Sequence, residues 1–203
     1  MNLGGIFNIL VAGVGGQGNL VCGRSLAHAA LLEGRHPVLG DTFGAPRRGG
    51  SVVSHLRIAD YDLGPLVPRG HVDLIIGMEP IEALRIAIHY AAKKTVAVVS
   101  SIPVHSPMTL SGEHVYPEIG VIDEMLQTIC GQVFMLSPKP LVENTQSHRA
   151  LNVYLLGAAS ELGILPLDRG DIEKGIDATV GMDDVNHRAF TDGMNDVSSL
   201  RQV

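Results

Sequence analysis

Apolar runs alternate with glycine-rich breaks along the chain, and this pattern predicts an α/β protein. Short apolar runs rich in branched residues, typical of buried parallel strands, lie at 6–12, 37–41, 72–77, 95–99 and 133–136. Stretches with apolar residues at spacings of three and four, or with helix start signals, predict helices at 19–32, 80–92, 119–130 and 148–162 and two short helices within 171–194. Because strands and helices alternate, we expect a mainly parallel sheet with helices on both faces.

Two segments depart from simple alternation. The segment 51–58 alternates apolar and polar side chains, which places His55 and Arg57 on one face and predicts a half-exposed strand. The polar stretch 101–117 predicts a long loop. Since no internal repeat, low-complexity tract or linker interrupts the pattern, we expect a single domain over 1–203.

Composition and charge narrow the class of partner. Hydrophobic residues make up 45% of the 203 residues, which is ample for a buried core. The 21 acidic and 15 basic residues give a net charge of −6, and aromatic residues are only 4%, without tryptophan. Nucleic-acid binding needs a basic surface or stacking aromatic residues, so we expect no nucleic-acid partner. The apolar run 6–14 is too short to span a membrane and lacks signal-peptide flanks, so we expect no membrane contact.

Only two cysteines, Cys22 and Cys130, are present. An iron–sulfur cluster needs about four thiolates, and the nine histidines include no pair at metal-ligand spacing. We therefore expect no metal in this chain, and a redox reaction would need an electron carrier outside it. The two cysteines are not spaced like a disulfide framework, so we expect a cytoplasmic location.

A glycine-rich turn follows the first predicted strand and precedes the first predicted helix. Its sequence, GVGGQG at 13–18, has the spacing of a dinucleotide-binding turn, in which glycines let a phosphate approach the backbone at a helix N-terminus. Asp41 ends the next predicted strand, roughly where a ribose-binding carboxylate belongs in such a βαβ unit. A NAD(P) or FAD site, a different bound anion, and a tight turn without a ligand all remain open on this pattern.

A second distinctive segment contains Arg47, Arg48, Gly49, Gly50 and Ser51. Two guanidinium groups beside two glycines and a hydroxyl are suited to clamp a phosphate or a carboxylate. A solvated turn explains the same residues. Both this segment and the glycine turn follow the ends of strands, which is where α/β proteins bind ligands.

Taken together, these segments resemble the gamma component of the 2-oxoacid:ferredoxin oxidoreductases, and most of all the small beta subunit of the indolepyruvate type. The matching motifs are GVGGQG at 13–18, RGGSV at 48–52 continuing to HLR at 55–57, EPIEALR at 79–85, Asn152 with Leu156 and Gly157, and Asn186, Ala189, Phe190 and Gly193. They occur in order over nearly the whole chain, so their combination is far more specific than the glycine turn alone.

The resemblance implies a Rossmann-like, single-domain α/β fold, a pyruvate/ketoisovalerate oxidoreductase gamma-type catalytic domain that does not use NAD as its redox cofactor. It implies a subunit, inactive alone, of a complex that oxidatively decarboxylates a 2-oxoacid to an acyl-CoA and reduces ferredoxin. Thiamine diphosphate and iron–sulfur clusters are then expected in partner subunits. This chain would cover the active site and help to bind coenzyme A.

The resemblance also suggests roles for individual residues, although it assigns no catalytic residue. Candidates for phosphate or ligand binding are Gly13, Gly15, Gly16, Gln17, Gly18, Arg47, Arg48, Gly49, Gly50 and Ser51. Glu79 and Asn152 are candidates for an interface or for orienting a loop. Arg47 resembles pyruvate- or oxoglutarate-type members whereas 50–52 resembles the indolepyruvate type, so the 2-oxoacid stays open.

Two other functions compete with this one. The glycine turn alone is consistent with a stand-alone NAD(P)- or FAD-binding oxidoreductase. An interaction subunit without any ligand, and a homodimer of the isolated chain, are also compatible with the sequence.

Overall fold

The structure, a computed structural model, describes residues 5–44, 50–105, 115–138 and 149–201. Within these ranges the strands are β1 (Phe7–Val14), β2 (His36–Phe43), β3 (Ser51–Ala59), β4 (Leu74–Gly77), β5 (Val96–Ser100) and β6 (Gln132–Leu136). The helices are α1 (Asn19–Leu32), α2 (Pro80–Tyr90), α3 (Ile119–Ile129), α4 (Arg149–Glu161), α5 (Arg169–Val180) and α6 (Asp184–Leu200). The predicted α/β class is confirmed.

The six strands form one sheet in the order β2-β3-β1-β4-β5-β6. Strands β1, β4, β5 and β6 are parallel, whereas β3 is antiparallel to both of its neighbours. The mainly parallel sheet is therefore confirmed. The expectation that β1, α1 and β2 form a simple βαβ unit is wrong, because β3 forms a hairpin with β2 and its residues Ser51 to Ile58 pair with the whole length of β1.

Strand β3 is buried on both faces, so the predicted half-exposed strand is also wrong. His55 is only 1% exposed, and its Nδ1 accepts a hydrogen bond from the backbone N–H of Val67, 3.2 Å away. The Arg57 guanidinium donates to Asn8 Oδ1 at 2.9 Å and to the carbonyl oxygen of Gly64 at 3.0 Å. These polar side chains are buried because β3 lies inside the sheet and each has a hydrogen-bond partner.

Helices cover both faces of the sheet, as predicted. Alternate residues of β1 point to opposite faces: Ile9 and Val11 belong to the core beneath α1, α4, α5 and α6, and Leu10 and Ala12 to the core beneath α2 and α3. Burying one such side chain contributes about 1.5–3 kcal/mol. In the part of the chain that the structure describes, no helix is long and apolar enough to cross a membrane.

Close helix contacts fix the positions of the helices on the first face. A Cβ added at Gly157 of α4 would collide with the carbonyl oxygen of Phe190 in α6, and one at Gly193 of α6 would collide with that of Tyr154 in α4. Gly175 brings α5 equally close to the backbone of α1. These contacts hold α6 against α4 and α5 against α1.

Candidate functional site

The sheet has a topological switch point between β1 and β4. After β1 the chain enters α1 on one face, and after the neighbouring parallel strand β4 it enters α2 on the other face. Open α/β sheets bind ligands in the crevice that such a divergence creates outside the carboxyl ends of the strands. The glycine turn 13–18 follows β1 and lies at this position.

The turn delivers the chain into α1 through two glycines in the left-handed region. Gly16 has φ of 102° and Gly18 has φ of 90°. Gly18 is also the N-cap of α1, and no side chain caps this helix. An uncapped first turn leaves backbone N–H groups and the positive end of the helix dipole for an anion.

Two residues of the turn shape it from within. A Cβ at Gly13 would lie 2.8 Å from the Cβ of Met78, so only glycine fits there. Gln17 is 5% exposed; its Oε1 accepts from the N–H of Val14 at 2.7 Å and its Nε2 donates to the carbonyl of Met78 at 3.1 Å. Of the residues in the turn, Gly15, Gly16 and Gly18 line a cleft, whereas Gly13 and Gln17 do not.

This cleft has a volume of about 1170 Å³ and lies between the glycine turn, the end of β2 and the helices of the first face. The first turns of α1, α4 and α6 all line it, as does the last turn of α5. Apolar side chains at its opening include Phe43, Val180 and Val185, and Phe43 is 65% exposed. A cavity that combines helix N-termini with an apolar opening suits a ligand with both anionic and apolar parts.

Asp183 carries the only formal charge among the described residues that line the cleft. Its carboxylate accepts from the N–H of Asn186 at 2.9 Å and so caps α6. The side-chain amide of Asn186 donates to the carbonyl of Gly181 at 2.8 Å. Both side chains therefore have partners within the chain, and Asp183 already occupies the N-terminus of α6.

The segment that contains the two candidate ligand-binding arginines joins β2 to β3. Arg47, Arg48 and Gly49 lie outside the described residues. The carbonyl oxygen of Gly50, the next described residue, accepts a hydrogen bond from the N–H of Gly15 at 3.0 Å. The end of the connection therefore touches the glycine turn. The glycine turn and the arginine-containing segment were predicted as two separate candidate sites, and in the structure Gly50 contacts Gly15.

Asp41 does not occupy a ribose-binding position, and this expectation is wrong. Strand β2 is separated from β1 by β3, which moves Asp41 one strand away from the glycine turn. Its carboxylate accepts a hydrogen bond from the hydroxyl of Ser54 at 2.6 Å. In addition, the N–H of Gly15, which could otherwise face a phosphate, is bound to Gly50. The arrangement of a NAD-binding βαβ unit is absent from these residues.

Glu79 follows β4 at the switch point and is 1% exposed. Its Oε2 accepts from the N–H of Glu82 at 2.8 Å and caps α2, while its Oε1 accepts from the N–H of Val104 at 3.4 Å and from the Tyr116 hydroxyl. Burial raises the pKa of Glu79, and the hydrogen bond from Tyr116 opposes that rise. Sequence reasoning assigned no role to Tyr116, because it lies in a polar stretch without periodicity.

Asn152 connects α4 to the glycine turn. It is 2% exposed, its Oδ1 accepts from the N–H of Val153 at 2.7 Å, and its Nδ2 lies 2.8 Å from where a Cβ of Gly18 would be. Glu79 and Asn152 are both buried within the chain, and their roles at an interface or in orienting a loop stay predictions. Glu79 contacts the loop on either side of 106–114, and Asn152 contacts the turn.

The two cysteines are buried free thiols. Burial raises the pKa of Cys130 to about 11 and raises that of Cys22 as well, so neither is poised to act as a thiolate. Within the described ranges, no group of three or more histidine, cysteine or acidic side chains could hold a metal ion.

Comparison with known proteins gives consistent relatives. The family model described as pyruvate ferredoxin/flavodoxin oxidoreductase matches residues 8–195. Indolepyruvate oxidoreductase subunit IorB of Archaeoglobus fulgidus is 34% identical over 196 residues, 96% of each chain, and that of Thermococcus kodakarensis is 32% identical over 191 residues, 93% of this chain and 94% of the relative.

Solved structures share the fold. The gamma subunit of a keto/oxoacid ferredoxin oxidoreductase from Geobacter sulfurreducens superimposes with a TM-score of 0.65 at 20% identity, covering 95% of this chain and 99% of its own. The 2-oxoglutarate:ferredoxin oxidoreductase from Magnetococcus marinus, with 2-oxoglutarate, coenzyme A and succinyl-CoA bound, gives a TM-score of 0.70 at 19% identity over 96% of this chain and 31% of its own.

Proposed function

The chain belongs to the pyruvate ferredoxin/flavodoxin oxidoreductase family, and on that premise we propose a specific task for it within a larger enzyme. It is the small, gamma-type subunit of a 2-oxoacid:ferredoxin oxidoreductase complex. The proposed task is to cover the active site that partner subunits carry and to hold coenzyme A there. In the overall reaction the C1–C2 bond of the 2-oxoacid anion breaks and carbon dioxide leaves. The acyl group replaces the thiol hydrogen of coenzyme A to form a thioester, the proton is released, and two electrons pass one at a time to ferredoxin.

The observation that carries the proposal is the cleft at the uncapped start of α1. The phosphates of coenzyme A would lie against Gly16, Gly18 and the first turn of α1, where N–H groups and the helix dipole favour negative charge. Phe43 offers an exposed aromatic face for the adenine ring, and Val180 and Val185 offer apolar surface for the uncharged parts.

Arg47 and Arg48 would supply the positive charge that the described lining of the cleft lacks. The connection that carries them, with Gly49, ends at Gly50 against the glycine turn, and this supports the proposal that both arginines bind the same ligand. Guanidinium groups bind phosphates with paired hydrogen bonds. Ser51 follows at the start of β3.

The partner subunits would carry the redox chemistry. Iron–sulfur clusters do not fit this chain, because its only cysteines are Cys22 and Cys130, both buried with raised pKa values. We assign these clusters and thiamine diphosphate to the partner subunits, and ferredoxin to the assembled complex. We also propose one gamma-type domain over 1–203 and a cytoplasmic location, in keeping with free thiols.

A stand-alone NAD(P)- or FAD-binding enzyme is a weaker alternative. Strand β3 lies where the second strand of a dinucleotide-binding unit would pair with β1, and Asp41 is bound to Ser54. The glycine turn therefore leads into a helix start suited to an anion, but Asp41 is not placed beside it to bind a ribose. An interaction subunit without a ligand would show the same fold and differs only in binding nothing.

A ligand panel distinguishes these functions. The melting temperature of the full chain is measured with coenzyme A, NADH and FAD, since a ligand that binds only the folded state raises it. We expect coenzyme A alone to raise the melting temperature, and Arg47→Ala with Arg48→Ala to abolish most of that rise while leaving the ligand-free value nearly unchanged. Arg69→Ala with Arg201→Ala is the charge-matched control, because both residues are exposed and lie outside the cleft lining. This variant should keep the rise in melting temperature.

A rise with NADH and none with coenzyme A would overturn the proposal in favour of the stand-alone enzyme. No rise with any of the three ligands would favour a subunit that binds nothing by itself. Loss of folding in the double arginine variant would assign those residues a structural role.

A further inference from the structure

A line of buried polar contacts runs from the glycine turn to the loop between β5 and α3. It begins at Gln17, which holds the N–H of Val14 with its oxygen and the carbonyl of Met78 with its nitrogen, at 2.7 Å and 3.1 Å. The N–H of Met78 in turn donates to the carbonyl of Ala12 in β1 at 2.8 Å. The loop after β4 is therefore tied to the turn after β1 on both sides of Met78.

The next residue belongs to the same rigid unit. The carbonyl of Met78 and the N–H of Glu79 lie in one peptide plane, so Gln17 can keep its bond only while that plane keeps its orientation. Glu79 itself has an extended backbone, with φ of −143° and ψ of 133°, as the N-cap of α2. The contacts of the Glu79 side chain therefore restrict the orientation of this peptide plane from the side opposite to Gln17.

The Glu79 carboxylate is held by donors from three separate segments. They are the start of α2 through Glu82, the segment after β5 through Val104, and the stretch before α3 through the hydroxyl of Tyr116. Tyr116 also packs edge-to-face against His105, with ring centroids 5.3 Å apart. A carboxylate bound from three directions in the interior has one orientation, which a simple helix cap on the surface would lack.

We propose that Glu79 is a positioning residue for the cleft: it fixes the 78–79 peptide plane and, through Gln17, the glycine turn, so that Tyr116 and Val104, which hold its carboxylate, influence the shape of the ligand site. None of Glu79, Tyr116 and Val104 lines the cleft. The coupling is a property of the contacts themselves, and only the choice of coenzyme A as ligand rests on the proposed function.

The first test observes the turn directly. Tyr116→Phe removes one hydroxyl and nothing else, and ¹H–¹⁵N spectra of the full chain report the amides of Gly15, Gly16 and Gly18 and the side-chain amide of Gln17. We expect these resonances to shift in Tyr116→Phe, and to shift in the same direction in Glu79→Gln. Tyr61→Phe makes the identical chemical change at an exposed tyrosine and should leave them in place.

The second test separates positioning from mere stability. In the assembled complex, Tyr116→Phe should raise the KM for coenzyme A about fivefold or more, a typical size for coupling between sites, with kcat nearly unchanged. Tyr61→Phe should change neither constant.

The outcomes are distinguishable. A lower melting temperature with unmoved turn resonances and an unchanged KM would overturn the proposal and leave Glu79 as a structural cap. If Glu79→Gln fails to fold, the Tyr116→Phe spectra alone decide. If the wild-type chain and complex show no role for coenzyme A at this cleft, the proposed function fails, while the spectra still confirm or overturn the coupling.

Discussion

At the residue scale, buried polar side chains do most of the positioning in this molecule. His55 accepts a backbone N–H from Val67, packs edge-to-face on Tyr90 with ring centroids 5.6 Å apart, and is almost fully buried. The side chains of Gln17 and Glu79 likewise form hydrogen bonds with backbone groups of the same chain. A single sequence shows such residues only as polar positions, because their partners come from distant segments, and their roles therefore needed the structure.

Burial of His55 makes stability depend on pH. Burial lowers the pKa of His55 from its ordinary value of 6.5, and the negative charge of Asp41 opposes the shift. The native state then binds fewer protons than the unfolded chain below about pH 6.5, so the free energy of unfolding falls as pH falls through this range. One such group contributes a slope of at most about 1.4 kcal/mol per pH unit.

We therefore expect His55→Gln to flatten the dependence of unfolding free energy on pH between neutrality and mild acid, measured by urea denaturation. Its stability at neutral pH should also be lower than that of the wild type, because the ring contact with Tyr90 is lost. His28→Gln, at an exposed position of α1, controls for the removal of an imidazole. An unchanged slope in His55→Gln would contradict this assignment.

At the element scale, hydrophobic periodicity predicted where the strands and helices lie along the chain, but it did not predict which strands pair in the sheet. The helix after the glycine turn and the strand 72–77 were both expected near their observed places, since each has a strong local pattern. The pairing of β3 between β1 and β2 depends on contacts between distant segments, which no local pattern encodes. The position of β3 inside the sheet is also the reason why Asp41 lies away from the glycine turn and why β3 is buried on both faces.

The contact between α4 and α6 gives a test at this scale. Gly193→Ala places a methyl group against the backbone carbonyl of Tyr154, and we expect a loss of about 1–3 kcal/mol in the free energy of unfolding. Gly120→Ala, in the first turn of α3, adds a methyl group that meets no atom within 4 Å beyond its chain neighbours and its own helix backbone, and should raise stability by up to about 1 kcal/mol through helix propensity. Urea denaturation measures both.

Equal effects of the two substitutions would contradict the close packing of α6 on α4. Because the first turns of both helices line the cleft, Gly193→Ala should also weaken ligand binding if it still folds. Gly120→Ala should leave binding unchanged.

At the scale of the whole molecule, the chain combines an uncapped helix start that lines a cleft with only two cysteines, both of them buried. Its fold, its match to the family model over 8–195 and its two buried cysteines agree with a subunit that works beside others. The sequence identified this family correctly from motifs spread over the chain. The ligand remains a proposal, because the cleft assembles from the ends of β2, α1, α4, α5 and α6, and no single motif describes it.

The central claim is that this subunit holds coenzyme A in its cleft, and the most direct measurement is the KM for coenzyme A of the assembled complex, followed by ferredoxin reduction with a 2-oxoacid. Phe43→Ala removes an exposed aromatic face from the cleft, and Tyr61→Ala removes an exposed aromatic side chain elsewhere. Stacking of an aromatic ring on a base contributes about 1–3 kcal/mol. We predict that Phe43→Ala raises this KM about tenfold, leaves the KM for the 2-oxoacid unchanged, and differs in this from Tyr61→Ala; equal KM values for coenzyme A in both variants and the wild type would contradict the account.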